Sequence, residues 1–231
     1  MIKKNLVKGV TKYWKKLEKE NLHMCPSFTL FRLLKNNNIK LRNKDVLDIG
    51  FGEGQNLEEF LRRGSNIYGI DLRKEKINKI IFLTNVKKEN FYQCDLNVSF
   101  PKINKKFDLI INMDLINYLT EENQIKLFNE SLKILKKNGF FLIHYPQMQL
   151  LKKKNNDIFN YEISKKVYSE DYFFKKENPI VFLKNKQIMK LINKFQKKFK
   201  LISSIFDTNT RSEKNSSKIT VNRFILFKKI S

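Results

Sequence analysis

The stretch Asp45–Asn56, DVLDIGFGEGQN, limits what this chain can fold into more than any other. The chain has only 7 glycines in 231 residues, and Gly50, Gly52 and Gly54 fall here on alternate positions. They follow the apolar run VLDI and precede the amphipathic segment NLEEFLRRG, so the stretch reads as strand, bare turn and helix. Glycine supplies the backbone angles such a turn needs and lets a ligand approach the main chain. The amides that open the following helix then face that ligand. A strand, Gly-x-Gly-x-Gly and a helix together make a phosphate- or nucleotide-binding geometry by default.

Three ligand classes compete for the turn. A P-loop ends in Gly-Lys-Ser/Thr, whereas Gly54 is followed by Gln55 and Asn56, so that class is excluded. A dinucleotide fingerprint is Gly-x-Gly-x-x-Gly, and the third glycine here comes one residue early. Asp48, two residues before Gly50, decides against both. A carboxylate there repels a pyrophosphate but suits a ligand carrying a positive amine and a sulfonium.

From residue 45 onward, strands and helices alternate. Strand patterns cover 46–49, 66–71, 91–95, 107–113, 139–146, 200–208 and 219–229. Helical patterns cover 56–64, 73–82, 121–139 and 184–195. Such alternation means βαβ units and a mainly parallel sheet in a doubly wound α/β domain of seven strands, the last antiparallel. Before it lie a Lys/Glu-rich helix over 3–21 and a second helix capped by Ser27, read together as an N-terminal helical lid (residues 1–43). Residues 44–231 form the main domain, and 147–183 read as an insertion, with a helix near Ser169–Lys176. The segment 211–218 reads as a polar loop.

Composition narrows the function classes. Cys25 and Cys94 stand alone with no CxxC spacing, which fits a reducing cytoplasm and gives neither a disulfide framework nor a metal site. No apolar run reaches the ~18 residues of a membrane span, and the basic N-terminus lacks the apolar core of a signal peptide. The net charge of +24 invites a polyanion partner. The basic residues are overwhelmingly Lys, and the chain contains no Ala, so the excess reads as a chain-wide bias rather than a binding device. Nucleic acid is therefore a possible but disfavoured partner.

With these pieces in order, the chain resembles the class I S-adenosylmethionine-dependent methyltransferases, whose Rossmann-like sheet it would share. VLDIGFGEG is similar to the family's first motif, with Asp48, Gly50, Gly52 and Gly54 in place. Asp71 in YGIDL matches the acidic residue that holds the ribose hydroxyls, with Leu72 beside it. Asp95 and Leu96 in QCDL match the pair at the adenine amine and ring. FDLIINMDLINYL, with Met113, resembles the segment under the methionine part of the cofactor, and LKKNGFFLIHYP resembles the helix end and fifth strand that follow. The resemblance covers residues 44–146, and the final helix and strands by topology.

The resemblance implies in-line transfer of a methyl group from a good leaving group, so positioning and desolvation carry most of the catalysis. Asn112-Met113-Asp114-Leu115 lacks the prolines of the exocyclic-amine nucleic-acid enzymes, and neither cysteine sits where a cytosine-C5 enzyme places its nucleophile. A small-molecule acceptor is favoured, anionic if the lysines line the mouth. An RNA acceptor and a non-catalytic cofactor- or partner-binding role are the alternatives, and the protein is a monomer or homodimer. Acid–base candidates are His144, Tyr145, Asp114, Tyr118 and His23. Each has a plainer role: Asp114 as a helix cap, His144, Tyr145 and Tyr118 as packing, His23 as a turn residue. Tyr13 and Trp14 are candidates for covering the cofactor from the N-terminal helix, or for packing alone.

Overall fold

The computed structural model describes residues 25–155, 158–163, 185–213 and 216–230. The helix expected over 3–21, His23 and the helix expected near Ser169–Lys176 lie outside them. The strands are β1 (Asp45–Ile49), β2 (Asn66–Asp71), β3 (Phe91–Gln93), β4 (Phe107–Met113), β5 (Leu135–Asn155), β6 (Ile158–Ile163), β7 (Phe199–Glu213) and β8 (Ser216–Lys229). The helices are α1 (Phe28–Asn36), α2 (Gln55–Arg62), α3 (Lys74–Thr84), α4 (Glu121–Ile134) and α5 (Asn185–Phe195).

The sheet runs β3-β2-β1-β4-β5-β8-β7, with β6 paired to β5 off that path. The first five strands are parallel, and β8 is antiparallel to both β5 and β7. This is the doubly wound seven-strand path with an antiparallel last strand.

Three elements differ from the sequence reading. The helix expected to reach Gly139 stops at Ile134, because Leu135 already pairs with Phe107 in the sheet. Between that pair and Leu109↔Phe140 the chain turns through Asn138, whose φ of 64° Asn tolerates better than most residues. β5 then continues to Asn155 and folds back as β6 within the expected insertion. The segment IFNYEI is rich in strand-forming residues, a signal hidden by the surrounding Lys and Asn. Likewise β7 runs to Glu213 and β8 begins at Ser216, so the expected polar loop is mostly a hairpin. Its residues pair with one another across the turn, from Thr210↔Ile219 to Glu213↔Ser216, and β5 extends the ladder on the other side of β8.

Strand alternation sends side chains to two cores. On one face, Val46, Ile67, Leu109, Leu142 and Leu226 meet α1, α2 and α3 through Leu30, Leu34, Leu57, Phe60 and Ile80. On the other, Leu47, Ile110, Phe141, Ile143 and Phe227 meet α4 and α5 through Phe128, Leu132, Leu191 and Phe195. α1 is anchored by its cap, in which Ser27 Oγ accepts from Leu30 N at 3.2 Å. No helix among the described residues is long and apolar enough to cross a membrane.

Candidate functional site

The same alternation assembles the site. With Val46 and Leu109 on the α1–α3 face, period two puts Asp48 and Met113 there also. Ile67 and Leu142 do the same for Asp71 and His144. Asp48, Asp71 and Met113 sit at the carboxyl ends of β1, β2 and β4, and His144, within the longer β5, is level with Met113. The chain order reverses between β1 and β4, and open α/β sheets bind ligands at that crevice.

The glycine turn differs at its three positions. A Cβ on Gly50 would lie 2.8 Å from Leu115 Cβ, and one on Gly54 would lie 2.6 Å from Ile80 Cδ1. These two positions are bare because protein already fills the space. A Cβ on Gly52 meets nothing within 4 Å, although φ is +58°. Its side of the turn is open, as a ligand passing over the main chain requires. The turn is held from below by Glu53, which pairs with Lys76 and, at 2.8 Å, with Lys79 on α3.

Asp48 is 1% exposed, and neither carboxylate oxygen has a hydrogen-bond partner. Burial pushes its pKa well above the usual range, and the neighbouring charge of Asp71 adds to the effect. A buried, unmatched carboxylate is costly unless something neutralises it. A primary ammonium at the crevice would do so. Asp71 Oδ2 accepts from Gly52 N and Oδ1 from Arg73 N, each at 2.9 Å. Burial raises the Asp71 pKa, and the Arg73 N–H and charge and the Gly52 N–H partly offset this. Each oxygen keeps a lone pair for a diol hydroxyl.

Beyond β3, Asp95 Oδ1 accepts from Asn97 N at 2.9 Å, and Asn97 Nδ2 in turn donates to Tyr118 O. Leu72 is half-buried, and its carbonyl accepts from Gln93 Nε2. Leu96 is buried in the α4–α5 core. After β4, Asp114 has φ 63°, and its N–H donates to His144 O at 3.1 Å. Its Oδ1 lies 3.0 Å from Nδ1 of the buried His144, close enough for an ion pair but without hydrogen-bond alignment. The His144 ring also packs 4.2 Å from Phe224. Tyr145 falls on the opposite face, fully buried in the α4–α5 core. Its hydroxyl lies beside Arg223, its pairing partner on β8, and burial pushes its pKa up to about 12 against the pull of that guanidinium. Tyr118 is buried within a 3-10 turn, Ile116–Tyr118. The structure thus gathers Asp48, Asp71, Met113, Asp114 and His144 and leaves Tyr145 and Tyr118 in packing positions.

Residues 13–173 match a family model described as "Methyltransferase domain". The chain belongs to the class I S-adenosylmethionine-dependent methyltransferases. It is 38% identical over 107 residues to a ubiquinone biosynthesis O-methyltransferase of Pelagibacter ubique (strain HTCC1062), covering 45% of this chain and 42% of that protein. It is 34% identical over 104 residues to a phosphoethanolamine N-methyltransferase of Plasmodium falciparum (isolate 3D7), covering 44% and 38%. The chain thus spans about two-fifths of the length of these curated relatives. Among solved structures, an S-adenosylmethionine-dependent methyltransferase from Clostridium acetobutylicum ATCC 824 superposes with a TM-score of 0.60 at 16% identity, covering 96% of this chain and 98% of that one. The N-methyltransferase NodS from Bradyrhizobium japonicum WM9, in complex with S-adenosylhomocysteine, gives 0.60 at 13% identity, covering 95% and 99%. At these identities the superpositions speak for the fold.

Three contacts around this candidate site have weak or no signal in the sequence. Asn112, fully buried, donates from Nδ2 to Ile49 O at 3.0 Å and accepts at Oδ1 from Ile116 N at 3.1 Å. It ties the end of β1 to the turn that presses Leu115 onto Gly50. A lone Asn within the apolar run FDLIINM was the available signal. Glu53, between two glycines, was another. The third, Thr29 Oγ1 donating to Asp207 Oδ2 at 2.5 Å, spans 178 residues and has no local signal.

Proposed function

We propose that the protein transfers the methyl group of S-adenosylmethionine to a small-molecule acceptor through a protic oxygen or nitrogen. The observation that carries this reading is the buried carboxylate of Asp48, unpartnered at the head of the glycine turn. In this reading Asp48 meets the ammonium of the cofactor and Asp71 its ribose. Gly50, Gly52 and Gly54 let the main chain come close, and Leu72, Asp95, Leu96 and Met113 border the rest. The cofactor supplies an activated methyl on a sulfonium; the residues supply placement and a dry site.

His144 and Asp114 stand at the acceptor end. His144 takes the acceptor proton as the nucleophile attacks, and the Asp114 carboxylate 3.0 Å away balances the charge that the imidazole gains. The left-handed backbone at Asp114 is a strained conformation of the kind stored at working sites. Tyr145 is withdrawn from this role by its burial on the far face. The names of the curated relatives, one O- and one N-methylating, support a small acceptor of either kind. The residue beside His144 is Asp114 rather than a lysine, which favours a neutral or cationic group next to the methyl over an anionic one.

The test is a mass-spectrometric screen of phenols, amines and amino alcohols with S-adenosylmethionine, following the methylated mass together with S-adenosylhomocysteine. The reading expects one class to turn over and His144→Ala to lose most of the rate while still binding cofactor. Cofactor binding without turnover on any acceptor, or undiminished turnover in His144→Ala, would count against it.

A further inference from the structure

A cleft of about 830 Å³ runs along α1 and the segment 38–42 after it, lined in part by Phe31, Leu34, Ile39 and Leu41. Arg32, Lys35, Lys40, Arg42 and Arg63 line it, with Phe28 at its side. Its far end lies at the starts of β1 and β2, where Asn43 N donates to Gly64 O and Asn66 N to Lys44 O. That is the amino end of these strands, whereas the end at Phe28 adjoins Ser27, whose N–H donates to Asn56 Oδ1; Asp48, Gly52 and Asp71 are not among the lining residues.

Its charge is not the chain-wide lysine excess. Arginine is scarce, with seven in 231 residues, and three of the seven line this one cleft. No Asp or Glu occurs between Glu20 and Asp45. Among the described residues only Arg63 of the five cations has a carboxylate partner, Glu59 at 2.7 Å. Phe28 is 74% exposed, with the Arg32 guanidinium 5.6 Å from its ring centre. Residues 1–24 carry seven lysines against two glutamates, the wrong sign to neutralise the cleft.

We propose that this cleft binds a single strand of RNA, its phosphates on the arginines and a base against Phe28. Arginine's planar fork pairs with phosphate oxygens in two-point contacts that lysine lacks. An exposed aromatic among cations is the platform on which unpaired bases stack without sequence preference. A duplex, with its bases already stacked on one another, has no use for Phe28. The strand held here is read as a partner or tether, since none of Asp48, Gly52, Asp71 and His144 lines the cleft.

The test is fluorescence anisotropy with a labelled uridine-rich RNA about 12 nucleotides long, across a salt series. The variant Arg32→Glu/Lys35→Glu/Arg42→Glu is compared with Lys194→Glu/Lys197→Glu/Lys200→Glu, which makes the same change in net charge at exposed positions on and after α5. The cleft variant is expected to lose about tenfold or more in affinity and about 2 units of the slope of log affinity against log salt. The control is expected to change by less than about twofold. Arg32→Gln/Lys35→Gln/Arg42→Gln gives the same direction with less disturbance of folding, and retained cofactor binding shows that the site proposed for methyl transfer is intact. Equal losses in the two reversal variants, binding unaffected by Phe28→Ala, or no binding by the unaltered protein would overturn the proposal.

Discussion

Replacing Asp48 by Asn should make the protein more stable and a worse binder of its cofactor. Asp48 is 1% exposed and makes no hydrogen bond, so burial holds its pKa well above the ordinary carboxylate range. Holding a proton costs about 1.4 kcal/mol for each pH unit above the group's ordinary value. From the reference of 3.8, the cost at pH 7 has a ceiling of about 4 kcal/mol. The amide removes that cost but brings its own unmet donors, which return about 1–2 kcal/mol. The net gain at pH 7 is therefore bounded at about 2–3 kcal/mol, and the variant should melt higher than the parent by no more than about 4–12 °C for a chain of this size. The sign with pH is fixed. A raised acid pKa gives stability that is fully present below the unfolded value and lost as pH rises toward the folded one. The gap between variant and parent should therefore be small near pH 4 and widen toward neutrality. Thermal melts of both proteins over that range check this, and calorimetry should show S-adenosylmethionine binding about tenfold or more weaker in the variant. A variant less stable at pH 7, or a gap that does not change with pH, would refute the view that Asp48 is an unmatched buried acid.

Three further expectations follow from the same geometry. Gly50→Ala drives a methyl against Leu115 and should cost about 1–3 kcal/mol, whereas Gly52→Ala meets open space and should cost about 1 kcal/mol from its left-handed backbone while weakening cofactor binding; denaturant melts and titration separate the two. Asp114→Gly relieves a φ of 63° and should cost little or no stability while slowing turnover, read from melts and initial rates. Tyr145→Phe removes a buried hydroxyl that lies beside Arg223 on the face away from the site, so kcat should stay within about twofold; a large loss of kcat would restore Tyr145 as a catalytic candidate.

How much of this was legible beforehand depended on whether the signal was local. The glycine turn, Asp48 and Asp71 are legible because an apolar run, three glycines and a strand-end carboxylate lie within a few residues of one another. The caps at Ser27 and Thr120 are equally local, and each accepts the backbone N–H expected of it. His144 and Tyr145 looked alike from sequence because both end an apolar strand. Only the phase of β5 separates them, sending one toward Asp114 and the other into the core. The long pairing of β5 with β8 and the Thr29–Asp207 contact join distant segments, and composition carries no record of either. The basic cleft was masked differently. A chain-wide lysine excess concealed a place where the rarer arginines gather.

The central claim is that the crevice at Asp48 and Asp71 holds S-adenosylmethionine. Calorimetric titration of the purified protein with S-adenosylmethionine, S-adenosylhomocysteine and NADH, beside Asp71→Ala, tests it most directly. The account expects micromolar binding of both sulfur compounds, lost in the variant, and none of NADH. A well-folded protein that binds neither sulfur compound would contradict it.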